Sequence, residues 1–99
     1  MSAMTPEGKV KAKVVRLLKT MGVWYFFPAN NGFGKSGIPD IIAIVRGEFI
    51  GIEVKSATGK PTELQKICGA EIERAGGTWV VVRDDITMMM LEAIIVNRR

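Results

Sequence analysis

Apolar residues recur at helical spacing in TPEGKVKAKVVRLLKTMG (5–22), where Val10, Val14, Leu17, Leu18 and Met21 share one stripe and Lys9, Lys13 and Arg16 lie opposite. Thr5 is a cap candidate, Pro6 takes the first helical position and Gly22 closes the segment. VWYFF (23–27) is β-branched and aromatic and predicts a strand, and PANNGFGKSG (28–37) has the composition of a loop. IPDIIAIVR and FIGIEVK predict two strands around Gly47-Glu48, a glycine-first pair that suits a type II′ hairpin turn. SATGKP reads as a loop, and TELQKICGAEIERAGG as a helix with Thr62 and Gln65 at capping-box spacing and Gly76 as its stop. TWVVVRD predicts a fourth strand, and DITMMMLEAIIVN a last helix capped by Asp84 or Asp85. The order αβββαβα implies one α/β domain over residues 1–99, a small mixed sheet with helices on its faces. The opening MSAM reads as a tail ahead of Met4 or as native chain alike.

Three charges break this pattern. Asp40 lies inside one apolar run, and Glu53 and Lys55 flank Val54 inside another. With Gly47-Glu48 as the turn, Ile42 pairs Glu53 and Asp40 pairs Lys55, so all three charges emerge on one face. Asp40 and Glu53 are then diagonal neighbours, roughly 7–8 Å apart at their backbones. Two close carboxylates repel unless a cation sits between them. A hard divalent ion such as Mg²⁺ takes one or two carboxylates together with a phosphate. A salt bridge from Lys55 to either acid on a solvated face explains the same charges, and spacing alone leaves both open.

Composition narrows the chemistry. The chain has one cysteine, Cys68, and no histidine, which excludes a disulfide framework, zinc-finger spacings and any His-activated nucleophile. That cysteine usage suits a reducing compartment, and no segment has the length and apolarity of a signal peptide or membrane span. The net charge of +4 leans toward polyanions. ANNGFGKS (29–36) approaches a phosphate-binding loop, but Ala29 stands where its first glycine belongs, and Gly37 and Pro39 follow instead of a helix. A nucleotide cofactor is therefore not expected.

Pro39-Asp40, twelve intervening residues and Glu53-Val54-Lys55 match the PD-(D/E)xK pattern of the restriction-endonuclease-like nucleases. GIPDI, FIGIEVK, TELQ and GGTWVVV, with a glutamate in the first helix, make the chain resemble the virus-type replication-repair nuclease (VRR-NUC) domain over roughly residues 5–90. The resemblance implies the family's αβββαβ core, here with an added C-terminal helix. It also implies metal-assisted hydrolysis of phosphodiesters with Mg²⁺ or Mn²⁺, leaving a 5′-phosphate and a 3′-hydroxyl. Asp40 and Glu53 would ligate the metal with the Val54 backbone carbonyl, and Lys55 would orient or activate the attacking water. Glu7 fits the family's first-helix acid as a further catalytic residue or ligand, against a plain solvated first turn. Gln65 matches a family position near the site, although its capping-box role explains it equally. One metal or two per site is open.

As DNA contacts the sequence offers Lys35 and Ser36 in the glycine-rich loop, Lys60, and Lys11 on the basic side of the first helix. Trp24, Tyr25, Phe26 and Phe27 are expected in the core rather than as a base-stacking platform, and Cys68 is expected there with Leu64, Ile67 and Ile72. For a bare domain the resemblance implies a homodimer that resolves Holliday junctions (four-way DNA), a phage or prophage protein in the cytoplasm of a bacterial cell. A flap or single-strand nuclease of the same fold, and a catalytically silent DNA-binding module, are the alternatives. In the last helix Ile86, Met89, Met90 and Ala93 are expected to dock on the sheet. That leaves Met88, Leu91 and Ile95 for the dimer.

Overall fold

In the computed structural model, which describes residues 4–29 and 34–99, three helices flank one mixed sheet of four strands. Residues 1–3 of the expected tail and 30–33 of the expected loop lie outside the described residues. Helix α1 (Pro6–Thr20) starts on Thr5, whose side chain accepts from the Gly8 N–H. Strands β1 (Trp24–Phe26), β2 (Ile41–Val45) and β3 (Glu48–Val54) run antiparallel in sequence order. Helix α2 (Glu63–Arg74) carries the chain across to β4 (Thr78–Val82), which pairs parallel with β3. Both arms of the Thr62–Gln65 capping box form, and Gly76 ends the helix at φ 97°. Helix α3 (Asp85–Arg98), capped by Asp84, closes the chain, with Arg98 paired to Glu48 on the hairpin.

The β2–β3 turn corrects the expected register. The loop residues are Arg46 and Gly47, at φ 52° and 82°, a type I′ turn that needs positive φ at both places and favours glycine at the second. Val45 therefore pairs Glu48, and Glu48 is strand rather than loop. Moving the turn by one residue moves the pairing by two, which leaves every side chain on its expected face. Ile41 pairs Ile52, so the next step along the register sets Asp40 against Glu53 rather than Lys55.

One sheet face carries Tyr25, Ile41, Ala43, Val45, Ile50, Ile52, Val54, Val80 and Val82, packed under Val14 and Leu18 of α1 and Leu91 and Ile95 of α3. The last helix is thus turned opposite to expectation. Leu91 is 0% exposed, Ile95 is buried and Met88 packs on the core, while Ile86, Met89 and Met90 are exposed. Apolar residues surround α3, so its spacing selects no face; docking on the sheet does. The other sheet face is covered by α2 across β3 and β4. There Gly69 lies against the Trp79 ring, which a Cβ at position 69 would meet at 2.3 Å. Cys68 is buried as expected, but Leu64 and Ile67 are exposed. Trp24, Phe26 and Phe27 are also exposed rather than core; of the four aromatics only Tyr25 packs inward.

Candidate active site

Asp40 ends the loop before β2, and two contacts fix that loop. Pro39 is buried against Gly51. Gly37, at φ 77°, packs so closely on the Leu64–Gln65 peptide of α2 that an added Cβ would stand 2.3 Å from the Leu64 carbonyl oxygen. Only glycine fits both that conformation and that approach. The Asp40 Oδ2 accepts the Val54 N–H at 2.8 Å, so the aspartate takes over β3's hydrogen bonding where β2 has not begun. N–H and C=O of one strand residue point to the same edge, so the Val54 carbonyl opens toward the Asp40 side.

Glu53 is the buried acid of the protein, 0% exposed. Its Oε1 accepts from Gln65 Nε2 at 3.0 Å, while its Oε2 is buried with no partner. Burial pushes its carboxyl up to about 8, with the neighbouring Asp40 carboxylate raising it further, Lys55 opposing and Glu7 adding a smaller rise. Five sequence-derived residues therefore act on one point: Asp40, Glu53 and Gln65 touch one another or the same strand end, and Lys55 and Glu7 lie within electrostatic reach. Lys55 is half-buried past the end of β3, its N–H donating to the Val82 carbonyl at 3.0 Å. Glu7 is exposed on the first turn of α1.

Among the described residues no group of three or more acidic, histidine or cysteine side chains could hold a metal. Two carboxylates and a carbonyl nevertheless suit Mg²⁺, which keeps several waters and needs only one or two protein acids. The donor set is all oxygen, and the orphaned Glu53 Oε2 has a ligating atom to give. The residues fit the ion.

A cleft of ≈ 440 Å³ opens beside Asp40, walled by Lys11, Phe27, Lys35, Ile38, Asp40 and Gln65. Lys11 thus reaches the site, its Nζ 4.5 Å from the centre of the Phe27 ring. Lys35 reaches it too, paired with Glu71 at 3.0 Å. Ser36 and Lys60 are exposed and stand outside the cleft's lining. Sequence reasoning missed Phe27, because five consecutive apolar residues in VWYFF give no alternation to mark an outward side chain.

Two comparisons with known proteins agree with this geometry. The family model "Archaeal holliday junction resolvase (hjc)" matches residues 8–85. A solved VRR-NUC domain superposes with a TM-score of 0.79 at 25% sequence identity, covering 91% of this chain and 97% of that one. No curated protein sequence matches.

Proposed function

The chain belongs to the archaeal Holliday junction resolvase family of restriction-endonuclease-like nucleases, and from that premise we propose that it is a metal-dependent homodimer that cuts four-way DNA. The observation that carries this reading is the buried, unpartnered Glu53 Oε2 beside Asp40. Leaving such an oxygen unsatisfied costs roughly 1–3 kcal/mol, more when charged, which a fold accepts where a cation is to bind. Asp40, Glu53 and the Val54 carbonyl would hold Mg²⁺ or Mn²⁺. Bound there, the ion would act as a Lewis acid on the scissile phosphate and lower the pKa of its water.

The chain's own residues supply position and charge. Gln65 keeps the Glu53 carboxylate turned by its Nε2 bond, and the Val54 N–H does the same for Asp40. Lys55 brings an ammonium to orient the attacking water and offset charge growing on the phosphate. Glu7 adds negative charge at the site's edge and serves as a third acid. Lys11 and Lys35, on the cleft walls, and the exposed Ser36 and Lys60 would hold backbone phosphates.

The dimer reading rests on the part of one sheet face that α2 leaves bare. Trp24 pairs Ile44 and Ile44 pairs Phe49, giving an unbroken apolar row across three strands, with Phe26 beside Trp24 at a ring separation of 5.6 Å. All four are exposed, on the face that carries Asp40 and Glu53. A sheet face left to solvent is ordinarily polar; this one suits burial against its own two-fold copy.

Purified protein incubated with Mg²⁺ or Mn²⁺ and a panel of junction, flap, duplex and single-stranded DNA tests the reading. Four-way junctions should be cut in preference and EDTA should stop it. Faster cutting of flaps or single strands would replace the resolvase with a flap nuclease. Binding with no cutting under any metal would leave a DNA-binding module.

A further inference from the structure

Phe27 stands outside the core. It lies just beyond β1, 49% exposed, and its ring meets Tyr25 edge-on at 5.8 Å. Helix α1 presents Lys11 over that ring. Both residues wall the cleft that reaches Asp40 and Gln65. An aromatic face, an ammonium beside it and the Asp40 carboxylate in the same wall match the parts of one nucleotide and its neighbour: a base, a phosphate, and the next phosphate to be cut.

The cleft's charge favours this occupant over an apolar one, since Lys11 and Lys35 both line it. Its ≈ 440 Å³ lies within the range of small-ligand clefts. In a duplex each base is stacked on both sides, so an exposed ring can stack only where a neighbour has been lost, as at a branch point.

We propose that Phe27 is a stacking platform for one nucleobase left unstacked at the branch, beside the scissile phosphate, with Lys11 on that nucleotide's phosphate. The proposal deepens the nuclease reading and rests on it for the position of the cut. Stacking accepts any base because every base has a π-face, so the platform reads branching and not sequence. It also places the strand: a stacked base fixes its own phosphate, and the next phosphate is delivered toward Asp40 and Glu53.

The test needs no cleavage. A four-way junction carrying 5-iodouracil at each nucleotide around the branch in turn is bound in EDTA and irradiated, and adducts are mapped by mass spectrometry. Adducts on Phe27 are expected from one or two branch positions and from none in a fully paired duplex. In parallel, Phe27→Leu should weaken junction binding about five- to hundredfold, the range that one base–aromatic stack covers. Phe27→Trp should bind as wild type, and all variants should melt normally because the ring is exposed. Lys11→Met should weaken binding of branched and duplex DNA alike and reduce the salt slope by about one. No Phe27 adduct, equal adducts from duplex, or unchanged binding by Phe27→Leu overturns the platform. Branch-specific adducts from a protein that cuts nothing in any metal would uphold the platform and sink the nuclease. Failure to bind branched DNA would sink both.

Discussion

Gln65 donates Nε2 to Glu53 Oε1 at 3.0 Å while its own Oε1 accepts the Thr62 N–H at 2.8 Å. One side chain thus caps α2 and holds the buried acid. The helix start and the contact with Glu53 are built from the same amide.

Separating the two roles takes two substitutions. Gln65→Ala loses both bonds and should destabilise the fold by the ~1 kcal/mol typical of a lost cap, read as a lower Tm, as well as slow cleavage. Gln65→Glu keeps an acceptor for the Thr62 N–H but loses the donor to Glu53 and sets two carboxylates together. It should melt close to wild type in Mg²⁺ yet cut at least about tenfold more slowly, as loss of a partner orienting a metal ligand does. A wild-type rate at saturating junction for Gln65→Glu would show the Glu53 contact to be incidental.

Asp40→Asn, Glu53→Gln and Lys55→Ala should each reduce cleavage to background without unfolding the protein. Asn retains an oxygen for the Val54 N–H, and Gln retains one for Gln65 while discarding a buried charge. Glu53→Gln should accordingly raise the Tm of the metal-free protein above pH 8. Near-normal cutting by any of the three would remove that residue from the active site.

The local devices of this fold were legible in its sequence, and the long-range choices were not. The Thr5 and Thr62 caps, the Gly76 stop and the strand pattern of the hairpin depend on residues a few places apart. The choice between Arg46-Gly47 and Gly47-Glu48 puts glycine second in one turn type and first in the other, and composition satisfies either. Both leave Asp40 and Glu53 on one face, so the two carboxylates stay together in either register. The outward aromatics and the orientation of α3 had no such protection. VWYFF and DITMMMLEAIIVN are apolar on every side, so only the arrangement of α1, α2 and α3 about the sheet decides what is covered.

Metal-free protein should lose stability as pH rises from 5 to 8. The Glu53 carboxyl is raised from 4.5 to about 8 by burial and by Asp40, so between those values the folded state holds a proton that the unfolded state has released. Its contribution is complete below 4.5 and is lost as pH passes 8, on the order of a few kcal/mol in total. Mg²⁺ should flatten the decline by binding the ionised form. Urea melts at pH 5, 6.5 and 8, with and without Mg²⁺, measure this; stability that increases across the range in EDTA contradicts a protonated Glu53.

Glu7→Gln should slow cleavage and lower the pH at which Glu53 ionises, since the Glu7 charge contributes to its rise. The midpoint of the metal-free stability profile reports the second effect independently of DNA. An unchanged rate with a shifted midpoint would confine Glu7 to electrostatics, and no change in either would make it an ordinary solvated first turn.

Two nicks in opposed strands of a junction need two sites, and each chain has one pair of carboxylates. A symmetric dimer would supply the second. The bare sheet face and the outer side of α3 are both apolar and exposed, but only on the sheet does strand pairing join large side chains into one flat row, Trp24 to Ile44 to Phe49. Trp24→Glu should therefore give a folded monomer, since a 60% exposed residue contributes little to the fold. That monomer should lose paired cutting while keeping slow single nicking. Met89→Glu, at 68% exposure on α3, should leave the dimer intact. Leu91→Glu should not fold, because it sets a charge in the core under the sheet. Sedimentation at micromolar concentration decides among these outcomes. A wild-type monomer with or without junction DNA ends the dimer model, and a dimer broken by Met89→Glu but not Trp24→Glu moves the interface to α3.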